Sequence, residues 1–197
     1  RRPDIVVAIE GGRLATLTGT RDGFDEPVFW SVPSSLADGG AGDFDEDGTV
    51  DFLTAHEDAS NGVGPLIVHL AAAPTQVNEV WPAMSRPGQS QVLDLNNDGH
   101  LDLLIAALDT DTNNDGLPDQ AASIWRYMGR GDGDFAEPNI IHLNGATADF
   151  QMGDVDGDGD PDLVVTRVQE LAGEIRASLV SYANDGLGGF ALAGPRL

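Results

Sequence analysis

Residues 152–166 read Met-Gly-Asp-Val-Asp-Gly-Asp-Gly-Asp-Pro-Asp-Leu-Val-Val-Thr, a run of alternating aspartates that ends in an apolar stretch. Within it, segment 154–162 carries aspartate at positions one, three, five and nine, and glycine at position six. Carboxylates this close together repel one another unless a cation lies among them. The branched apolar residues at 163–165 are typical of a β-strand. The stretch therefore predicts a cation-binding loop that leads directly into a strand.

The chain contains three copies of this stretch, aligned without gaps, so internal repetition governs its interpretation. The other copies are 41–55 (AGDFDEDGTVDFLTA) and 92–106 (VLDLNNDGHLDLLIA). The first aspartates of the three loops, Asp43, Asp94 and Asp154, are 51 and 60 residues apart. Segment 3–7 (PDIVV) also matches 161–165 (PDLVV), so we expect Asp4 to be the last residue of a loop whose earlier part is absent.

A second repeated element, a glycine-containing turn, follows the loops. Its copies are 22–27 (DGFDEP), 133–138 (GDFAEP) and 185–190 (DGLGGF), whereas the second repeat offers only 71–74. Asp-Gly and Gly-Gly between apolar stretches indicate hairpins. Each copy therefore predicts a hairpin towards the end of a repeat.

Short apolar runs of strand length separate these loops and turns, and none shows helical spacing. They include 5–9, 66–70, 103–108, 163–168 and 175–182. Each repeat is thus predicted to contain four strands, in the order strand, acidic loop, strand, linker, strand, turn, strand. Four-stranded repeats of this length are typical of β-propeller blades, whereas the coils of a β-solenoid, the alternative, are usually much shorter.

The predicted fold class is all-β, a β-propeller with about four blades of four antiparallel strands. The chain is read as a single segment, 1–197, with blades at 1–35 (incomplete), 36–86, 87–144 and 145–197. Residues 109–120 are read as an insertion in the third blade. Because the opening strand of the first blade is missing and open edges pair with other strands, we expect part of a larger propeller or one that another chain completes.

Composition and charge limit the classes of function. The 197 residues include 33 Asp plus Glu against 10 Lys plus Arg, a net charge of −23, so a nucleic-acid partner is not expected. A hydrophobic fraction of 41% argues against a disordered acidic chain. The sequence has no cysteine, which excludes disulfides and thiolate metal sites, and it has no apolar run long enough for a membrane helix.

Calcium suits the acidic loops because it takes about six to eight hard oxygen ligands, which carboxylates on alternate residues of a tight turn supply. Glycine at position six lets the chain turn around the ion. The predicted side-chain ligands at positions one, three, five and nine are Asp43, Asp45, Asp47 and Asp51; Asp94, Asn96, Asp98 and Asp102; and Asp154, Asp156, Asp158 and Asp162. Polar turns without an ion would explain one such loop, but not three in register.

The EF-hand shares the DxDxDG opening and is the obvious rival. It needs glutamate at position twelve, between two helices. Position twelve is Thr54, Ile105 and Val165 here, each within an apolar run. The sequence therefore excludes the EF-hand.

The DxDxDGxxD loop, the apolar residues after it and the downstream Asp-Gly-Phe turn resemble the FG-GAP and VCBS repeats. These families include the integrin α-subunit propeller and many secreted bacterial proteins, and the resemblance covers almost the whole chain. It implies a propeller with calcium in the blade hairpins, and it adds the carbonyls of position seven, from Thr49, His100 and Asp160, as ligands. It implies no particular partner, because these repeats occur in proteins with unrelated tasks.

The predicted insertion holds a further match to the loop pattern at 111–119 (DTNNDGLPD), which also resembles the Asp-Gly-Leu-Pro-Asp loops of thrombospondin type 3 repeats. No apolar strand follows it directly, so a bound ion and a solvated turn both stay open. Its candidate ligands are Asp111, Asn113, Asp115, Leu117 and Asp119.

No other residues form a recognisable catalytic pattern. The histidines have no metal spacing between them, and neither a GxSxG elbow nor a phosphate-binding glycine loop occurs. The histidines are His56, His69, His100 and His142. The three tryptophans, Trp30, Trp81 and Trp125, are predicted to pack between blades, with stacking on sugar rings as the alternative.

We therefore expect a non-enzymatic calcium-binding module, extracellular or at the cell surface, where calcium is abundant enough to fill such sites. Its loops are expected to bind a protein or a carbohydrate. Two alternatives stay open: the propeller part of a lectin or carbohydrate-active enzyme, and a structural unit that assembles through open blade edges.

Overall fold

The computed structural model describes residues 4–9, 13–32, 36–56, 63–71, 77–107, 123–143, 146–171 and 173–193. The described residues form β-strands joined by turns, with no helix among them. The strands are β1 (Ile5–Ile9), β2 (Arg13–Leu17), β3 (Val28–Ser31), β4 (Leu36–Gly42), β5 (Asp51–His56), β6 (Val63–His69), β7 (Val77–Ser85), β8 (Pro87–Leu93), β9 (Asp102–Ala107), β10 (Ser123–Tyr127), β11 (Asn139–His142), β12 (Ala146–Gly153), β13 (Asp162–Leu171), β14 (Glu174–Asn184) and β15 (Phe190–Leu192).

The strands pair antiparallel with their neighbours in the chain and give four sheets. Sheet I contains β1 to β3, sheet II β4 to β7, sheet III β8 to β11 and sheet IV β12 to β15. The prediction of an all-β chain made of antiparallel sheets is therefore confirmed for the described residues. The apolar runs that predicted strands fall on β1, β6, β9, β13 and β14.

The hydrophobic core lies between successive sheets, because the second strand of a sheet is buried on both of its faces. Along β9, Leu103 and Ile105 pack with residues of sheet II, whereas Leu104 and Ala106 pack with residues of sheet IV. All four side chains are buried. Such two-sided burial explains why this strand is a continuous apolar run instead of an alternating one.

The first strands of sheets II, III and IV lie side by side, β4 next to β8 and β8 next to β12. Glycines in β4 permit this approach, since a Cβ on Gly40 would overlap the side chain of Val92. Across the other contact, Gln91 Nε2 donates to the carbonyl of Phe150 at 3.1 Å. Gln89 Oε1 accepts from the backbone amide of Phe150 at 3.0 Å. Neighbouring sheets are thus joined by polar contacts as well as by apolar packing.

Two tryptophans pack where the core interpretation places them. Trp30 lies edge-on to Phe52, with ring centroids 4.8 Å apart, between sheets I and II. Trp125 packs against the core between sheets II and III and stacks on Tyr127 at 6.4 Å. The side chain of Trp81 lies outside the described part of the chain.

Sheets II, III and IV begin at Leu36, Pro87 and Ala146, close to the predicted repeat boundaries, although the division into blades stays a prediction. The predicted insertion at 109–120 lies outside the described residues. Within the described ranges, no helix has the length and apolarity that crossing a membrane requires.

Candidate metal centre

The three acidic loops occupy equivalent places, each joining the first strand of a sheet to the second. The first loop, 43–51, connects β4 to β5; the second, 94–102, connects β8 to β9; and the third, 154–162, connects β12 to β13. In each loop the ninth residue is also the first residue of the following strand. The hairpin fold therefore brings the two ends of each loop together.

The aspartate at position nine ties the loop to its sheet. Asp51, Asp102 and Asp162 are buried, with exposed fractions of 0%, 0% and 1%. One oxygen of each carboxylate accepts from the amide of position two, at 2.9, 2.8 and 2.9 Å. The other oxygen accepts from an amide beyond the third strand or at its end, belonging to Ala71, Gly129 and Asn184, at 2.8, 2.7 and 2.9 Å.

Sheet I contains an equivalent hydrogen bond from a backbone amide to an aspartate. Asp4 Oδ1 accepts from the amide of Gly19 at 2.8 Å, at the end of the second of its three strands. The equivalence of Asp4 with the ninth loop residues, predicted from the PDIVV match, is thus visible in its hydrogen bond. The sequence signal for this structural role was the aspartate directly before each apolar strand.

Burial makes the carboxylates of Asp51 and Asp102 costly to ionise. Burial raises the pKa of Asp51, against the lowering effect of its two backbone hydrogen bonds. Burial likewise raises the pKa of Asp102. A cation beside these groups would oppose that effect, because a positive charge favours the ionised form.

Positions one, three and five fold back onto the loop in the same way in all three copies. The first residue accepts from the amide of the position-six glycine, at 3.0, 3.0 and 3.2 Å. The third accepts from the amide of position five, at 3.2, 3.2 and 3.3 Å, and the fifth from the amide of position seven, at 2.7, 2.9 and 3.0 Å. The glycines have φ of 89°, 94° and 98°, which side chains rarely adopt.

Carboxylates converge in the first and third loops. Oxygens of Asp43, Asp45 and Asp51 lie within 4.8 Å of one another, and those of Asp154, Asp156 and Asp162 form the same arrangement. Oxygens at this separation can bind one ion together. The acidic clusters could therefore hold a metal ion.

Asp43 provides a test of that fit. Its Oδ1 is buried and has no hydrogen-bond partner among the described residues. A buried carboxylate oxygen without a donor carries a desolvation cost that a bound cation would remove. The first loop thus has both the donor set and an unsatisfied oxygen that a hard cation requires.

The second loop has the same backbone hydrogen bonds but less negative charge. Asn96 replaces aspartate at position three, so Asp94, Asp98 and Asp102 supply its carboxylates. The side-chain nitrogen Nδ2 of Asn96 donates to Asp98 Oδ2 at 2.9 Å. Of the predicted ligands, position-five Asp47 and Asp158 lie outside the two convergent triples and bind the position-seven amides. The predicted loop at 111–119 lies outside the described residues.

Side chains at fixed positions link neighbouring loops, which the sequence did not indicate. Glu46 Oε1, at position four of the first loop, lies 2.5 Å from His100 Nδ1, at position seven of the second. Asn97 Nδ2, at position four of the second loop, donates to Asp160 Oδ1, at position seven of the third, at 3.0 Å. The hydrogen bond to Glu46 raises the pKa of His100. A positional alignment of the loops could have suggested these pairs only once the sheets were known to be neighbours.

The glycine-containing turns add a second link of the same kind. The carbonyl at position two of the first loop, from Phe44, accepts from the amide of Gly133 in the turn of sheet III at 2.9 Å. The carbonyl of Leu95, at position two of the second loop, accepts from Asn184 Nδ2 of sheet IV at 2.9 Å. The first loop is therefore held by the turn of sheet III, and the second by Asn184, the last residue of β14 in sheet IV.

Two histidines that looked unrelated in the sequence are brought together in sheet II. His56 Nε2 lies 2.8 Å from Thr54 Oγ1, which lies 3.0 Å from His69 Nε2. Thr54 and His56 share one face of β5 because they are two residues apart, and Phe52 on the same face pairs with His69 across the hairpin. All three polar side chains are buried. The strand register would have revealed this cluster, whereas the search for metal spacing missed it.

Comparison with known protein families finds a match to part of the chain. The family described as FG-GAP-like repeat matches residues 94–165, from the first residue of the second loop into β13. This range covers the second and third acidic loops and the strands between them. None of the curated proteins compared with the chain matches it. Residues 94–165 are thus similar to the FG-GAP-like repeat, the resemblance that the loop and turn motifs predicted.

Proposed function

We propose that this chain is a non-enzymatic, calcium-binding β-propeller module that acts in extracellular protein or carbohydrate binding. The single observation that carries the calcium assignment is the first loop, where oxygens of three carboxylates lie within 4.8 Å of one another and Asp43 Oδ1 is buried without a hydrogen-bond partner among the described residues. The two other loops repeat its backbone hydrogen bonds.

The donor set favours calcium over transition metals. The loops offer carboxylate, amide and main-chain oxygens, which hard cations prefer, and the chain has no cysteine. Asp43, Asp45 and Asp51 would hold the ion in the first loop, and Asp154, Asp156 and Asp162 in the third. A bound ion would supply positive charge that offsets carboxylate repulsion and fixes the hairpin. The chain's own contribution is a loop already folded by its backbone hydrogen bonds.

The propeller assignment is supported by how the sheets pack. The first strands follow one another as β4, β8 and β12, and the core fills the spaces between sheet faces. Both features are expected when four-stranded blades are arranged around an axis. Loops that join first and second strands then lie at one end of the assembly, where a partner could contact several of them.

A second candidate function is assembly through an open sheet edge. Among the described strands, β1 pairs only with β2, and its exposed residues include Ile5, Val7 and Ile9. A cleft of about 730 Å³ lies between sheets I and II, lined by Val6 and Leu14 on one side and by β4 and β5 on the other. An unpaired apolar edge is a template for another strand. Light scattering across a concentration series tests this function, and a strictly monomeric chain would contradict it.

Thermal unfolding tests calcium binding by the whole chain. We expect the melting midpoint to rise with calcium and to fall with excess chelator, because an ion that binds only the folded state stabilises it. A site filled at a hundred times its dissociation constant contributes about 2.7 kcal/mol. Magnesium at the same concentration serves as the ionic-strength control and is expected to have a smaller effect.

Matched variants assign the effect to the loops. Asp43→Asn combined with Asp154→Asn should remove most of the calcium-dependent rise, because each change takes a carboxylate from a convergent triple. Asp149→Asn removes an exposed charge from β12 and should leave the rise intact. If calcium leaves the midpoint of the unaltered chain unchanged, the proposed function is wrong.

A further inference from the structure

The side-chain contacts between neighbouring loops occur at fixed loop positions, although calcium coordination alone does not require such contacts. Position four of one loop meets position seven of the next loop, first as Glu46 with His100 and then as Asn97 with Asp160. The chemistry of the two pairs differs, one with an imidazole and a carboxylate, the other with an amide and a carboxylate. The geometry is nevertheless the same at both junctions.

Both linking positions are coupled to predicted ligands in their own loops. Position four lies between the ligands at positions three and five, and its backbone is left-handed, with φ of 58° at Glu46 and 56° at Asn97. This conformation costs most residues with a side chain, such as glutamate, about 1–2 kcal/mol, whereas asparagine adopts it more readily. The amide of position seven donates to the position-five ligand, at 2.9 Å from His100 and 3.0 Å from Asp160. Ordering either loop therefore fixes a side chain that forms the contact with the neighbouring loop.

We propose that cation binding in the three loops is positively cooperative, with the position-four to position-seven contacts, Glu46 to His100 and Asn97 to Asp160, carrying the coupling. The inference rests on the proposed function and specifies its regulation. An ion in one loop removes the repulsion among that loop's carboxylates and holds positions four and seven in place. The neighbouring loop then loses less conformational entropy when it binds its own ion, because part of it is already ordered.

Repulsion between the ions themselves opposes this coupling, but it is screened in salt. At physiological ionic strength, the Debye length is about 8 Å, so exposed charges beyond that distance interact weakly. Direct contacts of 2.5 and 3.0 Å are not screened in this way. Positively cooperative binding requires the coupling carried by these contacts to exceed the repulsion between the ions at physiological salt.

Site-resolved calcium titration by NMR tests the proposal. The amides of Gly48, Gly99 and Gly159 report on one loop each, because each donates to the position-one carboxylate of its own loop. The third loop is disabled with Asp154→Asn and Asp158→Asn, and Gly99 reports on the second. We expect the calcium concentration at the midpoint of the Gly99 transition to rise by about fivefold or more.

Two further variants show whether the Asn97–Asp160 contact carries the coupling. With Asp160→Ala, disabling the third loop should no longer move the Gly99 midpoint. Asp160→Asn keeps an oxygen that can accept from Asn97 Nδ2, so coupling should survive. A charge-matched control, Asp25→Asn with Asp149→Asn, changes two exposed acids outside the loops and should leave the midpoint in place.

The outcomes separate this proposal from the proposed function. If no reporter glycine responds to calcium, the calcium assignment itself fails. If the three respond and the Gly99 midpoint is the same with and without a working third loop, the sites are independent and only the cooperativity is refuted. A Gly99 midpoint that falls when the third loop is disabled would show negative coupling and would also overturn it.

Discussion

At the scale of single residues, the loop aspartates divide into two groups with different tasks. Those at position nine are buried and accept at least two backbone amides each, whereas those at position five are exposed and, among the described residues, form hydrogen bonds within their own loop. The first group holds the hairpin to its sheet whether or not an ion is bound. Substitutions at position nine should therefore lower stability even without calcium, whereas substitutions at position five should act mainly through calcium affinity.

Substitution of Asp102 by asparagine should destabilise the chain even in excess chelator. The side-chain NH2 of asparagine cannot accept a hydrogen bond. The backbone N–H of either Leu95 or Gly129 would therefore lose its acceptor, at a cost of about 1–3 kcal/mol. Asp98→Asn is the matched control, because Asp98 is exposed, and it should weaken calcium binding with little effect in chelator. Urea unfolding of both variants, with calcium and with chelator, measures the two effects. Equal stability of the two variants in chelator would refute the division of roles.

The buried histidines give a pH dependence with a definite sign. Burial, and then the neighbouring charge of His56, lowers the pKa of His69 from 6.5 to about 4. Burial also lowers the pKa of His56. The unfolded chain therefore binds more protons than the folded chain between pH 6.5 and about 4. Stability contributed by neutral His69 is present above pH 6.5 and is lost as the pH falls through this window.

The free energy of unfolding in metal-free buffer should fall from pH 7 to pH 5, and by less in His69→Gln. The carboxyls of Asp51 and Asp102 act in the opposite direction at the acidic end, since their raised pKa values favour protonation in the folded state. Their effect is common to both proteins, so it cancels when the two pH profiles are subtracted. Parallel profiles for the unaltered chain and the variant would contradict the role of His69.

At the scale of elements, the sequence could predict strands and loops but not their contacts. Three aligned aspartate loops, each followed by an apolar run, were enough to locate β5, β9 and β13, whereas the ligand residues stay a prediction. The links from Glu46 to His100 and from Asn97 to Asp160 join residues 54 and 63 positions apart. No local pattern encodes such pairs, because they depend on which sheets are neighbours. The Thr54–His69 contact needed the register of the β5–β6 hairpin in the same way.

The close approach of β9 and β10 at their loop ends can be tested with glycine substitutions. A Cβ on Gly129 would overlap the backbone carbonyl of Leu101, which cannot move aside as a flexible side chain would. We expect Gly129→Ala to cost about 1–3 kcal/mol, as overpacking usually does. Gly153→Ala is the matched control, because its Cβ would meet nothing within 4 Å and its φ is not positive. Chemical denaturation measures both, and an equal effect of the two changes would contradict the described packing.

At the scale of the whole molecule, the loops, the turns and the first strands of the sheets form one repeated connection between successive sheets. Each of the first two loops binds the next sheet through its position-two carbonyl and the next loop through its position-four side chain. Cores between the sheets complete the contact. Removing calcium should therefore weaken the junctions between sheets as well as the individual loops.

Calorimetric titration of the intact chain with calcium, after metal removal, tests the central claim most directly. We expect at least three ions to bind, one for each of the three loops in the sequence, and to find this binding abolished by Asp43→Asn, Asp94→Asn and Asp154→Asn together. The control Asp25→Asn with Asp149→Asn should bind as many ions as the unaltered chain. An unaltered chain that binds no calcium, or a triple variant that binds as many ions as the unaltered chain, would contradict the account.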